Sequence, residues 1–600
     1  MSFWRLPHIT GAARIALWAS LSAITLLLFS SFADLRYVYA PIESIYLLDN
    51  LPLFGTLYYV WFALFLLLLL SQHKNNEWEN MALVCIFSLV FSGKWIVLAH
   101  GQIGATHILH YVGPISSSVA EGVMPRTIEN LGFNTFPMLA IEGSSLALVT
   151  GLDVFDTITV FLVFQLLTIT VLFYIVARNY LHDGRLAGIA AVLLISGSLA
   201  IPNYLAQLHA RATGLLFLVA FLVLVSKGHR RFFNGWEQAL LFVVLLAVTM
   251  ITHAITSFIL FLVLLGIYLV ERPSKDKMMA ISTVVLPFVG FLGYEIYVAF
   301  DTFGNMVKLM PTMVGNLTES KVPWSPMTAR MAVATFGEAV PTWAVMTSWF
   351  WMFALIGLGG ALGIASLVRI RNLSPAEKII TGGLIGVGVF AAITVYATSS
   401  EELARALMYL PVFTIPVLLM FLSRRRVAIA ALIGLIFLLS FPTFLTHNSH
   451  PSTTTLHPQE WSATDFVGSS YQEESSAGSA NLVAYMPSGN YPLIPPLNKA
   501  DQVIFIDYPI PTTPDGFWAA FSDFVAEFRN PHGSPAVLML FSPRYATTFQ
   551  SLAGIDPTTD ERWHELRESI NQESQVYDNG LVQIYRAEQS TAGHLLQSRE

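Results

Sequence analysis

The chain has 600 residues, of which 54% are apolar and only 12% are charged, and its mean hydropathy is +0.60. Soluble domains carry about 25% charged residues, so this composition excludes an ordinary soluble protein. The net charge of −7 comes from an acidic tail after residue 446, which argues against a nucleic-acid partner, and the single cysteine, Cys85, excludes a disulfide within the chain.

Separate apolar stretches run through residues 15–446, and polar segments of different lengths lie between them. Because a helix needs ~20 apolar residues to cross a bilayer, these stretches predict about 13 transmembrane helices. The first has no clear small-x-small cleavage site, so we expect an anchor, and the first two (15–71) are expected to be accessory. The predicted spans are 15–33, 56–71, 81–99, 154–177, 186–200, 212–226, 238–254, 255–271, 278–300, 342–368, 379–397, 406–422 and 428–446.

Residues 136–151 are also apolar, but the stretch is short and contains Glu142. We expect it to form a helix that lies at or dips into the outer interface of the membrane. If it spanned the membrane instead, every later loop would change sides, and Arg424–Arg426 would then lie outside, against the distribution of positive charge.

Basic residues define the orientation, because most Lys and Arg before residue 447 fall in alternate loops. Positive residues resist translocation, so these loops and the N-terminus are predicted to be cytoplasmic and the C-terminus extracytoplasmic. The three long loops, 34–55, 100–153 and 301–341, are then on the outer side. Any site for chemistry is expected there.

The tail has a different pattern. Residues 447–480 are rich in Ser, Thr and Gly and predict a linker, and 481–600 predict a small extracytoplasmic α/β domain of four or five strands. Without a Gly-rich phosphate loop, a metal-spaced His/Cys set or a nucleophile elbow, it is expected to bind or support rather than catalyse. Strands are predicted at 481–487, 502–507 and 536–542, a hairpin at 576–586, and helices at 516–528 and 558–571.

Several short motifs stand in an order that is characteristic of one family. They are Ala105–His110, Ala120–Pro125, Phe136–Pro137, Thr150–Leu152, Thr252–Ser257, Val576–Gly580 and Ile584–Arg586. In this arrangement the chain resembles the GT-C superfamily of integral-membrane glycosyltransferases, of the prokaryotic type that uses polyprenyl-phosphate sugars. The resemblance implies a GT-C-like transmembrane domain at 1–446 with a large outer loop at 100–153.

The resemblance also implies a mechanism. Nucleotide sugars are cytosolic, so a transferase that works outside uses a sugar carried on a polyprenyl phosphate embedded in membrane lipid. A carboxylate in the first outer loop then takes a proton from the hydroxyl of a cell-envelope glycan or protein acceptor. Basic side chains hold the phosphate leaving group and neutralise its developing charge.

The chain departs from the family at the expected acidic position, where it has Ala105, Thr106 and His107, and it has no Asp between Asp49 and Asp153. A diverged transferase and a non-catalytic scaffold of the same fold, with an outer domain that docks a partner protein, are both open. A transporter is disfavoured because no inverted repeat is evident. Candidates for acceptor binding or base are Glu142, Glu121, His107 and His110, and candidates for substrate phosphate are Arg126, Arg211, Arg405, His253 and Lys94.

Each candidate has an ordinary structural alternative. Glu121 and Glu129 flank Arg126 and could form a salt bridge, and Asp34, Glu43 and Asp49 are weaker candidates for a displaced carboxylate. Further alternatives are N-capping for Asp153 and Asp156, pairing of Arg405 with Glu401 or Glu402, and hydrogen bonding at a helix turn for His253. No cofactor is expected, and no carboxylate pair at ligand spacing indicates a divalent metal.

Overall fold

The computed structural model describes residues 11–35, 51–71, 76–93, 138–198, 210–226, 235–272, 279–300, 342–368, 373–395, 400–448, 482–487, 503–508, 537–541, 574–578 and 583–587, together with single positions between them. Residues up to 448 in these ranges are almost entirely helical. The helices are α1 Ala12–Leu35, α2 Leu51–Leu70, α3 Glu77–Phe91, α4 Met138–Thr150, α5 Val154–Leu181, α6 Gly184–Ser196, α7 Ala210–Ser226, α8 Trp236–Thr252, α9 Ala254–Glu271, α10 Ser282–Tyr297, α11 Thr342–Leu367, α12 Pro375–Val395, α13 Ser400–Leu422 and α14 Arg426–Asn448.

The chain is a polytopic membrane protein. A helix lies at each of the thirteen predicted spans, and α4 lies at the predicted interfacial stretch. Among the described residues, six helices are long and apolar enough to cross a membrane by length and composition: α1, α2, α5, α11, α12 and α14. Seven of the other described helices contain shorter apolar segments of 10–17 residues, so the count of 13 spans stays a prediction.

Glycines allow a close backbone contact between α9 and α12. A Cβ added at Gly266 would lie 2.1 Å from the Gly382 carbonyl oxygen, and one at Gly386 would lie 2.3 Å from the Leu262 carbonyl oxygen. Gly382 and Gly386, four residues apart in α12, present a flat face on which the backbone of α9 can pack. Small residues at this spacing are common where helices associate in lipid.

Polar contacts tie the bundle together at the end predicted to be cytoplasmic. Arg14 pairs with Glu79, and the Trp18 indole N–H donates to the same carboxylate at 2.8 Å, which fixes the start of α1 against α3. Arg178 Nη2 lies 3.1 Å from Glu77 Oε1 and connects the end of α5 to the same helix. The start of α3 is therefore the anchor at this end.

The tail contains a five-stranded mixed sheet of order β2-β1-β3-β5-β4. Its strands occupy the stretches predicted to be strands and the hairpin. Strand β1 pairs in parallel with β2 and β3, and β5 pairs antiparallel with β3 and β4. The helix predicted at 516–528 lies outside the described residues, as does most of 558–571. The strands are β1 Leu482–Pro487, β2 Val503–Tyr508, β3 Val537–Phe541, β4 Ser574–Asp578 and β5 Gln583–Ala587.

Candidate functional site

A chain of polar side chains joins α9 to α13 at the end of the bundle predicted to face outward. The His253 imidazole Nδ1 lies 3.1 Å from Thr256 Oγ1, and Thr256 Oγ1 lies 2.7 Å from the Tyr409 hydroxyl oxygen. Thr256 and Tyr409 are each only 1% exposed. Thr256 therefore lies between an imidazole and a phenol. The site is buried, and buried polar groups are nearly always hydrogen-bonded.

His253 takes this position because it is the single residue between α8 and α9. Its backbone is extended, with φ −166° and ψ 121°, between the end of α8 and the start of α9. Its amide still donates to the Thr249 carbonyl at 3.2 Å, and its carbonyl accepts from the Ser257 amide at 3.3 Å. The interruption turns the chain back on itself and places the imidazole beside the first turn of α9.

The start of α7 packs against the same chain of side chains. A Cβ added at Gly214 would lie 2.2 Å from Thr256 Oγ1, so the absence of a side chain at this position allows the contact. The preceding residue, Thr213, accepts a hydrogen bond from Gln165 Nε2 at 2.6 Å and so ties α7 to α5. Helices α7, α9 and α13 thus meet around Thr256, and α5 is bonded to α7 beside this point.

Two of the predicted phosphate-binding arginines occupy positions one helical turn from this point. Arg211 is in α7, three residues before Gly214, and Arg405 is in α13, four residues before Tyr409. The structure describes the helical backbone at both positions. Since residues three and four apart lie on one face of a helix, both arginine positions are one turn from the polar chain, toward the predicted membrane surface.

Glu142 lies in α4 with one carboxylate oxygen, Oε2, buried and without a hydrogen-bond partner among the residues that the structure describes. Helix α4 has 13 residues, is about 20 Å long and lies at the stretch predicted to be interfacial. Burial raises the pKa of Glu142 to about 7. The side chain of Ile115, in the large outer loop (100–153), packs at Gly143, the residue that follows Glu142 in α4.

A second carboxyl, Glu295 near the end of α10, is 0% exposed. Within the described ranges neither of its oxygens has a hydrogen-bond partner, and none of the ion pairs includes it. Sequence reasoning gave it no role of its own. A carboxyl near one end of a predicted apolar span was the available signal.

The structure does not describe five of the remaining candidates. Glu121, His107, His110, Arg126 and Lys94 lie outside the described residues. Asp153 caps α5, because its Oδ1 accepts the Asp156 amide at 3.0 Å, which confirms the capping interpretation for Asp153. In the part of the chain that the structure describes, no three His, Cys, Asp or Glu side chains are grouped as metal ligands.

No family model matches the chain, and no curated protein matches it. The chain is similar to the cryo-EM structure of the arabinofuranosyltransferase AftD from mycobacteria, with 14% identity and a TM-score of 0.48. The match covers 86% of this chain but only 40% of that enzyme. Similarity at this level assigns neither a family nor a substrate.

Proposed function

We propose that the protein is a membrane glycosyltransferase that moves a sugar from a polyprenyl-phosphate donor to a cell-envelope acceptor, in a prokaryotic cytoplasmic membrane. The observation that carries the proposal is the His253–Thr256–Tyr409 chain. It lies where the helices that contain Arg211 and Arg405 begin. This combination offers phosphate-binding groups at the depth of a lipid headgroup.

The predicted orientation selects the donor. It places the starts of α7, α9 and α13 on the outer side, where cytosolic nucleotide sugars are absent. A sugar that reaches this side carries a lipid phosphate, whose chain lies among the helices and whose charge lies at the interface. The acidic tail with its five-stranded sheet would lie on the same side, where it can dock the acceptor or a partner protein.

The phosphate is the leaving group of the proposed reaction. Arginine binds phosphate with two parallel N–H donors, and Arg211 and Arg405 would neutralise the charge that develops as the bond from C1 to the phosphate oxygen breaks. The Thr256 and Tyr409 hydroxyls, fixed by their mutual hydrogen bond at 2.7 Å, would hold the first turn of α9 in place against α13. His253 would add a further polar contact, with Arg126 and Lys94 as additional phosphate candidates.

The acceptor hydroxyl loses its proton to a base. Within the large outer loop (100–153) Glu142 is one candidate, because burial raises its pKa to about 7, so that the carboxyl exchanges a proton near neutral pH. Glu121, His107 and His110 are further candidates in the same predicted loop. No cofactor and no metal is part of the proposal.

The test is turnover by the purified protein in membranes, with a panel of radiolabelled polyprenyl-phosphate sugars. The wild-type protein should consume at least one donor, and Arg405→Ala should slow consumption at least tenfold. The matched control is Arg424→Ala, which removes an exposed arginine at the opposite end of α13 and should leave the rate unchanged. Absence of turnover across the panel would contradict the proposal and favour the scaffold alternative.

A further inference from the structure

Glu295 is a fully buried carboxyl near this end of the bundle, and its position follows from the packing of α10. Its side chain is 0% exposed, and both oxygens lack a hydrogen-bond partner among the described residues. A bare carboxylate is unfavourable in such surroundings, and ionisable groups at membrane depth usually serve a site or a pathway.

Two aromatic contacts define how α9 and α10 are aligned. The rings of Phe261 and Phe288 lie 4.7 Å apart, and those of Phe258 and Phe291 lie 5.6 Å apart. The two helices are therefore antiparallel, and moving three residues forward along α10 corresponds to moving three residues back along α9. Extending this antiparallel alignment by four residues, about one helical turn, places Glu295 level with the first residue of α9, directly after His253.

A contact with α8 gives the same depth independently. A Cβ added at Gly290 would lie 2.4 Å from the Met250 ε-methyl carbon, so α8 and α10 run side by side at this level. Glu295 is five residues, or about 7.5 Å, further along α10. That distance carries it past Thr252, the last residue of α8, to the turn that contains His253.

Spacing also places Glu295 on the correct face. Phe288, Phe291 and Glu295 are three and four residues apart, so they form one stripe along the face that packs on α9. The two phenylalanines fill this face below. The opposite position at the level of Glu295 is Ala254, a small residue. The alignment and the spacing together place position 295 on the face of α10 that packs on α9, at the level of the first turn of α9, the turn from which the polar chain of His253, Thr256 and Tyr409 starts.

We propose that Glu295 is the base that accepts the proton of the acceptor hydroxyl. This inference rests on the proposed glycosyl transfer and deepens it, because it assigns the proton transfer to a residue of α10 rather than to one of the large outer loop (100–153). The acceptor oxygen forms a bond to C1 of the sugar as the bond from C1 to the phosphate oxygen breaks. The electron pair leaves with the polyprenyl phosphate, and the hydroxyl proton passes to Glu295.

The test combines turnover with binding of undecaprenyl phosphate, a sugar-free probe of the phosphate site. Glu295→Gln keeps the shape of the side chain but cannot accept the proton, so kcat should fall at least 100-fold while affinity for undecaprenyl phosphate stays within twofold. Glu142→Gln tests the competing carboxyl. Glu237→Gln, an exposed position at the far end of α8, is the control and should have wild-type activity.

Each outcome decides between the readings. If Glu295→Gln retains most of its turnover, or if Glu142→Gln alone loses it, Glu295 is not the base, while the glycosyltransferase proposal stands. If Glu295→Gln loses affinity for undecaprenyl phosphate and thermal stability together with turnover, the role is structural and the inference is wrong. If the wild-type protein consumes no donor, the proposed function fails and the inference fails with it.

Discussion

The Tyr409 hydroxyl lies 2.7 Å from Thr256 Oγ1, across 153 residues of sequence, and both groups are buried. This hydrogen bond joins two helices at the end of the bundle where the arginine positions 211 and 405 also lie. It makes the position of one helix depend on that of the other. Changes at either residue should therefore affect binding at this end.

Replacing Tyr409 with Phe removes this hydrogen bond and leaves the ring. We expect a stability loss of about 1 kcal/mol, the usual net value of one hydrogen bond, and a larger loss of activity because Thr256 loses one of its two partners. Donor turnover and thermal unfolding of the purified protein measure the two effects. Tyr180→Phe is the control, since the buried Tyr180 hydroxyl has no hydrogen-bond partner within the described structure. Equal effects of the two variants on turnover would contradict a role for the polar chain.

The sequence predicts part of this site and misses part of it for a definite reason. His253 and Thr256 belong to a motif within six consecutive residues, so local spacing was enough to find them. Tyr409 was missed because its contact with Thr256 depends on how two distant helices pack. Only its spacing of four residues from Arg405 could have indicated it.

Gly214 should tolerate no larger residue. In Gly214→Ala the new methyl carbon would lie 2.2 Å from Thr256 Oγ1 and 2.9 Å from Thr256 Cβ, so α7 or α9 has to move. We expect a stability loss of about 1–3 kcal/mol, measured by thermal unfolding, together with reduced turnover. Gly293→Ala is the matched control, because a Cβ there meets nothing within 4 Å among the described residues. Unchanged stability in Gly214→Ala would show that the contact is looser than the structure indicates.

Glu79 should hold α1 to the bundle. Its carboxylate pairs with Arg14 and accepts the Trp18 indole N–H at 2.8 Å, so Glu79→Ala leaves two partly buried donors without their acceptor. We expect destabilisation of about 2–4 kcal/mol. A cysteine pair across α1 and α3, tested for disulfide crosslinking, should then form its bond more slowly. The exposed Glu237→Ala variant should have no such effect, and identical behaviour of the two would overturn the assignment.

Glu142 should make stability depend on pH. Burial raises its pKa from the usual 4.5 to about 7, so the folded protein holds this proton more tightly than the unfolded chain. Stability from this group is therefore present at low pH and decreases as pH rises from about 4.5 to about 7, by at most about 3 kcal/mol. Glu142→Gln should remove this decrease. Thermal unfolding of both proteins between pH 5 and pH 8 measures it, and parallel curves would contradict the burial of this carboxyl.

Hydropathy alone locates the helices well, because a bilayer requires long apolar segments whatever their tertiary neighbours. The strands β1 to β5 also follow their apolar patterns. The depth of Glu295 could not be predicted, since it depends on the Phe258–Phe291 and Phe261–Phe288 alignment of α9 with α10. The burial of a side chain between two helices depends on how they pack, so it cannot be predicted from the sequence of one helix.

The side of the membrane on which each end lies is the central claim, because only an external site calls for a lipid-borne sugar. The most direct measurement is labelling with a membrane-impermeant maleimide, in a protein in which Cys85→Ala removes the native thiol. Gln575→Cys, an exposed position in the sheet, should react in intact cells, and Arg425→Cys, exposed between α13 and α14, should react only after permeabilisation. The reverse pattern would contradict the account.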